Sequence, residues 1–338
     1  MKAAVIERPG ELVVREVPMP EMGDYDALCQ LLYGATCSGT DQHLLAGHFP
    51  WPVRYPTILG HESIGRVIRV GAKVRRFRAG DLVTRVGAPP SAGLNVNWGG
   101  FAECGLARDY WAMRDDGLPE AAWRPYRINQ LLPPEADPRG ATMVITWRET
   151  LSYVTRMGIG AGAHVLVMGS GGNGLSFAAH AANLGAAVTL VGSASREPLG
   201  RAVGATAYLD YRAADLRERL AQLPPADFVI DAVGKAGQID LALPFLKSGG
   251  MVGIYGIDDY GRCQINPHAA RVTFTVYNGG YEEGETHDAV VAYIQAKRLR
   301  AEIWLDLEHP FPLREIGQAL EAVRQRRVVK ALVQLAEG

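Results

Sequence analysis

The sequence predicts a two-part α/β protein: a β-rich, barrel-like domain followed by a doubly wound, mostly parallel sheet. Three observations carry this. An apolar run, Val165-Leu166-Val167-Met168, opens directly into Gly169-Ser170-Gly171-Gly172-Asn173-Gly174 and then into a small-residue stretch from Leu175 to Gly185, the pattern of strand, glycine turn and helix. Downstream, strand-like and helix-like segments alternate as a parallel sheet with crossover helices requires. Upstream, residues 1 to about 110 read instead as short strands broken by Gly and Pro.

In chain order the first group of strands is Lys2 to Ile6, Glu11 to Glu16, Ala27 to Leu32, Ser63 to Val70 and Asp81 to Val86. The span from Asp109 to Pro138 is rich in Trp, Pro and Arg without clear periodicity, and reads as an exposed loop or a lid over a pocket. Helical spacing returns from Pro138 to Met157, ahead of the glycine-rich Gly158-Ile159-Gly160-Ala161-Gly162. The parallel sheet is then assembled from Val165–Met168, Ala187–Val191, Thr206–Leu209, Phe228–Ala232, Met251–Tyr255 and Val272–Tyr277, with helices over Ser195–Val203, Ala213–Gln222 and Gln238–Leu246. A helix near Ile316–Arg326 and an apolar strand, Lys330–Leu335, return to the first domain.

The glycine turn points to a dinucleotide. Its first glycine permits the tight turn, the second lets backbone approach a pyrophosphate, and the third allows close helix-to-strand packing, while the helix N-terminus attracts phosphate charge. A tight βα turn with no ligand would use the same glycines, so the context of the motif matters.

Composition narrows the remaining classes. With 338 residues, 48% of them hydrophobic and 21% charged, the chain can bury two cores, and a formal net charge of −1 gives no bulk attraction to nucleic acid or to an anionic membrane. The first residues, Met1-Lys2-Ala3-Ala4-Val5-Ile6-Glu7-Arg8, meet charge and proline too soon for a signal sequence, and no apolar run approaches the ~18 residues of a membrane span. A cytoplasmic protein is expected. Cys29, Cys37, Cys104 and Cys263 are widely spaced and form no CxxC, so neither a disulfide framework nor a cysteine-rich structural zinc loop is encoded.

Several ordered motifs accompany the glycine turn: Gly39-Thr40-Asp41-Gln42-His43, Gly60-His61-Glu62 followed by Gly65, Val70-Gly71, Gly80-Asp81 and Gly99-Gly100-Phe101-Ala102-Glu103. With the nucleotide domain in mid-chain, this arrangement resembles the medium-chain dehydrogenase/reductase superfamily, and within it the zinc-dependent alcohol and polyol dehydrogenases of the sorbitol and threonine type, over nearly the whole chain. The resemblance implies a GroES-like catalytic domain formed by residues 1–157 and 295–338 around a Rossmann NAD(P)-binding domain at 158–294. It also implies a homodimer or homotetramer.

A catalytic zinc needs about three protein ligands and an open position where it acidifies an alcohol or polarises a carbonyl. By the resemblance, His61 is the second ligand, Glu62 is its adjacent carboxylate, and Glu149 in Trp147-Arg148-Glu149-Thr150-Leu151-Ser152 is the carboxylate that polyol-type members place near the metal. The first ligand departs from the pattern. Family members carry Cys-Gly-Ser/Thr-Asp, whereas this chain has Cys37-Ser38-Gly39-Thr40-Asp41, so alignment without a gap puts Ser38 at the cysteine position. Cys37 serves if the loop holds one extra residue. Adjacent residues on an extended chain point to opposite faces, so the difference of one position matters. Zinc held by Cys37, His61 and a carboxylate is the expected arrangement.

Alcohol oxidation also requires removal of the hydroxyl proton while hydride leaves for the nicotinamide. Thr40 matches the family's relay hydroxyl, and His43 resembles the histidine that passes the proton outward. The plainer alternatives are a Thr40 that caps a helix beginning near Asp41 and a His43 on that helix's surface.

An NAD enzyme places Asp or Glu about 20 residues beyond the glycine turn to hold the ribose 2′-hydroxyl. Here the second strand runs into Gly192-Ser193-Ala194-Ser195-Arg196, with no acid at its tip. Small hydroxyls and a guanidinium suit a 2′-phosphate instead, so Ser193 and Arg196 favour NADP over NAD, unless Glu197 turns inward. Asp231-Ala232-Val233-Gly234 and Tyr255-Gly256 end strands on the cofactor side, so Val233 and Tyr255 are expected along the nicotinamide half.

For the substrate, Trp51, Arg54, Asn97, Trp98, Trp147 and Arg148 lie near these motifs in sequence, and Trp147 and Arg148, beside Glu149, are the preferred contacts. The expected reaction is reversible hydride transfer between NAD(P) and a secondary hydroxyl of a polyol, cyclitol or sugar-like substrate through a zinc-bound alkoxide. A zinc-free NADPH-dependent carbonyl or enone reductase and a non-catalytic NADPH-binding protein share the fold and remain alternatives.

Overall fold

The computed structural model describes residues 1–262 and 264–336, so Cys263 lies outside the described residues. Its strands are β1 (Lys2–Arg8), β2 (Glu11–Glu16), β3 (Asp26–Ala35), β4 (Thr57–Ile58), β5 (Glu62–Val70), β6 (Leu82–Thr84), β7 (Asn95–Val96), β8 (Cys104–Arg108), β9 (His164–Met168), β10 (Ala187–Gly192), β11 (Ala207–Asp210), β12 (Ala226–Asp231), β13 (Leu246–Ile254), β14 (Phe274–Tyr277), β15 (Phe311–Pro312) and β16 (Leu332–Gln334). The chain forms two compact units. One comprises Met1–Ile145, His287–Val291 and Arg300–Gly338, the other Thr146–Thr286 and Ala292–Leu299. The first division falls inside the helix Met143–Arg156.

The first unit holds two sheets, ordered β2-β1-β4-β7 and β15-β16-β3-β5-β6, with β8 also paired to β3. Apolar residues of β1, β3 and β5 meet in one core with Phe77, Phe101 and the helix Ile316–Arg324. β3 organises this unit, because antiparallel pairing sets Ala35 opposite both Glu62 of β5 and Leu332 of β16. Its C-terminal end therefore lies between two segments that are far apart in sequence.

The second unit is one six-stranded sheet in the order β11-β10-β9-β12-β13-β14, every pairing parallel. Numbered from its first strand this is 3-2-1-4-5-6, so the order reverses between β9 and β12, where open α/β sheets leave a crevice at the carboxyl ends of their strands. The strands read as apolar runs because helices cover both faces of such sheets; Val165, Val188, Val229 and Val252 are fully buried.

Two departures from the sequence reading have local causes. Residues 109–138 are not a plain exposed loop: they contain the helices Tyr110–Asp115 and Glu120–Trp123 and the tighter turn Arg124–Ile128. Asp109 caps the first by accepting from the Ala112 amide, and Tyr110 stacks on Trp111 at 3.9 Å and on Trp123 at 6.4 Å between ring centroids. Helices of one or two turns carry too few residues to show a 3.6-residue period. Further on, the helix from Gln238 ends at Ala242 rather than near Leu246, since Pro244 cannot continue it, and β13 starts at Leu246.

Candidate functional site

In the first unit, a short loop and a strand end converge. The helix Thr40–Ala46 begins after Gly39, with no side-chain cap; Asp41, on its first turn, is buried and accepts the Cys37 amide at 2.7 Å. This ties Cys37 down, buried, while Ser38 faces outward exposed. On the other side, Gly60 takes φ +91° and presses against Phe101, where a Cβ would come within 2.5 Å of the ring. Only glycine fits that turn. It delivers His61 and Glu62, both buried, to the end of β5.

Cys37, His61 and Glu62 bring one donor atom each to within 4.8 Å of the others, and they form the one such group of three or more metal-capable side chains among the described residues. His61 is oriented from both ring nitrogens: Nδ1 lies 3.6 Å from Asp41 Oδ1 and Nε2 lies 3.6 Å from Glu62 Oε1. Neither separation is a hydrogen bond. Nδ1 and Asp41 Oδ1 are buried without a hydrogen-bond partner. Burial disfavours the imidazolium, yet Asp41 and Cys37 outweigh it and hold the His61 pKa at about 10. The pocket thus has a field that favours a cation. A thiol, an imidazole and a carboxylate, with a second carboxylate behind the imidazole, are the donor chemistry of a zinc site.

One member of this cluster escaped the sequence reading. Lys330 is buried, and its Nζ donates to both Glu62 oxygens at 2.6 Å and to the Thr36 carbonyl at 3.1 Å. Burial works against the ammonium, but Glu62 more than compensates and the Lys330 pKa is raised. Sequence showed only the start of an apolar strand there. The signal for Lys330 was its charge at the foot of a buried strand.

Beside His61 stands an aromatic wall. The Trp98 ring is 5.2 Å from the His61 ring, Phe49 is 6.2 Å from Trp98, and the half-exposed Trp51 is 5.1 Å from Phe49, while the Arg85 guanidinium lies 5.8 Å from the centre of Trp98. Thr40 and His43 lie half-buried on the neighbouring helix.

Trp147 and Arg148 need correction. Both are fully buried in the second unit, and Arg148 is ion-paired to Glu283, so packing rather than substrate engages them. Glu149 belongs to this unit too, where Tyr255 donates its hydroxyl to Glu149 Oε2 at 3.1 Å.

The glycine turn lies at the reversal between β9 and β12. Gly169 has φ +109°; a Cβ on Gly174 would fall 1.8 Å from the Gly169 carbonyl oxygen, whereas one on Gly171 would meet nothing within 4 Å. The turn is therefore tight at its first glycine, open at its second and closed by its last. Gly172, Asn173 and Gly174 form the first turn of the helix Gly172–Asn183, whose amides point outward at this end. Val233 sits against Gly169, and its amide and that of Gly234 donate to Asp231 Oδ1. Tyr255 packs edge-on against Phe177 and Tyr153.

At the tip of β10, Ser193 donates its amide to Ser170 Oγ at 3.1 Å, its hydroxyl is 3.0 Å from that of Ser195, and Arg196 donates to the Ser170 carbonyl at 3.0 Å. Glu197 turns outward, exposed, to an ion pair with Arg201 at 3.2 Å.

Comparison with known proteins agrees with both units. Residues 23–119 match the family model described as alcohol dehydrogenase GroES-like domain, and residues 171–278 match that described as zinc-binding dehydrogenase. Among relatives, a sorbitol dehydrogenase from Halalkalibacterium halodurans is 23% identical with 96% of each chain covered, and an L-galactonate-5-dehydrogenase from Escherichia coli is 26% identical with 98% of each covered. A zinc-binding dehydrogenase from Sinorhizobium meliloti, solved bound to NADP, superimposes with a TM-score of 0.80 at 25% identity over 98% of both chains.

Proposed function

We propose, because the chain belongs to the medium-chain, zinc-type alcohol dehydrogenase family, that it interconverts a secondary alcohol and a ketone on a polyol, cyclitol or sugar-like substrate with NADP(H) as hydride carrier. The observation that carries this is the buried group of Cys37, His61 and Glu62 in a chain whose other unit presents an open glycine turn at a sheet reversal. Cys37 and His61, with the Glu62 carboxylate beside them, would hold zinc, which when bound supplies a Lewis acid that acidifies the substrate hydroxyl. Asp41 stands behind the His61 ring at 3.6 Å, where it would orient the imidazole of a bound metal. Thr40, one residue past the N-cap Gly39, receives the substrate proton, and His43 on the same helix passes it outward. Trp98 offers an apolar face on which C–H groups of a sugar-like chain stack.

Ser193 and Arg196 support NADP: Ser193 offers a hydroxyl, Arg196 a cation, and the nearest acid, Glu197, faces away. Gly169, Gly171, Gly172, Asn173 and Gly174 receive the pyrophosphate, with Val233 and Tyr255 toward the nicotinamide. The functional boundaries are proposed at 157/158 and 294/295. Free thiols at Cys29, Cys37 and Cys104 support a reducing, cytoplasmic setting. No helix among the described residues is long and apolar enough to cross a membrane. The edge strand β14, with Val276 exposed, supports assembly with a second copy.

The test is metal analysis of protein purified without chelator, joined to an absorbance screen of polyols and ketones with NADP(H). About one zinc per chain, lost in Cys37→Ala and kept in Ser38→Ala, is expected; a wild-type chain with only traces of zinc sinks the proposal.

A further inference from the structure

Asp231 is the last residue of β12, the strand that adjoins β9 at the sheet reversal. It is bonded through both its side chain and its main chain. Oδ1 accepts the amides of Val233 and Gly234, each at 2.9 Å, which shapes the turn after β12. Its carbonyl accepts the amides of Tyr255 at 2.9 Å and Gly256 at 3.0 Å, which starts the turn after β13.

These two turns and the glycine turn after β9 are in backbone contact. A Cβ on Gly169 would lie 2.6 Å from Val233 Cγ2, one on Gly234, at φ +78°, would strike the Gly256 carbonyl, and one on Gly256 would strike the Val233 main chain. The Asp258 amide donates to the Val233 carbonyl at 3.1 Å and the Asp259 amide to the Gly234 carbonyl at 2.9 Å. Val233 and Tyr255 are thus held as one piece, with Asp231 at its root.

The side chain is costly where it stands. Asp231 is fully buried and its Oδ2 has no hydrogen-bond partner. Burial pushes the carboxyl pKa up, and the two amides oppose that only in part. A buried carboxyl with an idle oxygen is a poor source of net stability, so what it supplies is the shape of the turn.

We infer that Asp231 is a positioning residue for the nicotinamide half of the cofactor: its carboxyl pre-forms the Val233-Gly234 turn, and through it the Tyr255 turn, and it takes no part in holding the adenosine half. The inference rests on the proposed NADP reading. A turn already in its bound form spares the ligand the cost of ordering it.

The test uses the purified full-length chain and two probes, NADPH and adenosine 2′,5′-bisphosphate, which carries the 2′-phosphate but no nicotinamide. Both dissociation constants are measured by calorimetry. Asp231→Ala is expected to weaken NADPH about tenfold or more and to leave the bisphosphate within about twofold. Asp231→Asn keeps an oxygen for the two amides, and is expected to hold NADPH within about threefold of wild type. Equal losses for the two probes in Asp231→Ala overturn the inference, since a general disturbance of the sheet produces them. So does an unchanged NADPH affinity, and so does an Asp231→Asn chain as weak as Asp231→Ala. Should Asp231→Ala fail to fold, Asp231→Ser offers such a turn a weaker acceptor, and an intermediate loss confined to NADPH is expected. Wild-type NADPH affinity in that variant, or equal loss for both probes, overturns the inference equally. A wild-type chain that binds neither probe overturns the NADP reading and this inference together, whereas one that binds both, with their ratio unchanged in Asp231→Ala, removes only the latter.

Discussion

Arg196 donates from its guanidinium to the Ser170 carbonyl at 3.0 Å, tying the turn after the second strand of the parallel sheet to the glycine turn after the first. The cation is thereby held at the tip of β10, beside the Ser193 and Ser195 hydroxyls. A charge-assisted hydrogen bond to a phosphate contributes about 1.5–3 kcal/mol. Arg196→Ala is therefore expected to raise the KM for NADP about tenfold to a hundredfold while leaving that for NAD nearly unchanged. Steady-state kinetics with both cofactors checks this, and equal losses for the two would mean that Arg196 does not read the 2′-phosphate.

Thr40 opens the helix whose next residue, Asp41, steadies the Cys37 loop, and the N-cap position itself belongs to Gly39. Thr40→Val preserves shape and removes only the hydroxyl. Turnover should fall by about tenfold or more with the melting temperature held, as expected for loss of a proton-transfer group. Unchanged turnover removes Thr40 from the relay.

The parallel architecture was legible because most strands of the second unit read as apolar runs with helical segments between them, patterns set within a dozen or so neighbouring residues. What was not legible depended on partners distant in sequence. Arg148 reads as a polar residue beside a candidate ligand, and only Glu283, 135 residues away, turns it into part of a buried ion pair. The first half of β13, Lys247-Ser248-Gly249, is exposed and carries no apolar signal; pairing with its neighbours makes it strand. At Cys37-Ser38 the motif alone left two registers open, and the distinction between them is made by the Asp41 carboxylate, which catches the Cys37 amide.

The Arg148–Glu283 pair yields a stability prediction. Removing one partner of a buried pair leaves the other charge uncompensated and costs about 3–5 kcal/mol. Glu283→Gln should lower the free energy of unfolding by about that amount while the KM for substrate in the folded fraction stays put. A changed KM with unchanged stability would return Arg148 to the substrate pocket.

His180, on the helix that follows the glycine turn, is fully buried, and burial, only weakly opposed by the Trp147 backbone, lowers its pKa to about 3. In the unfolded chain it titrates near 6.5. Above that pH the group is neutral in both states and contributes no slope; as pH falls below it the unfolded chain takes up a proton that the folded chain refuses, so stability is lost progressively toward pH 3. At pH 5 the loss amounts to about 2 kcal/mol. Denaturant unfolding at pH 7.5 and pH 5 should show a difference smaller by roughly that much in His180→Leu than in wild type, and equal differences would place His180 in contact with water.

The junction of Glu62 with Lys330 spans 268 residues of chain. The carboxylate beside His61 meets its cation only once β16 has docked onto β3, so a fault in that long-range pairing leaves a buried charge uncompensated in the core of the first unit.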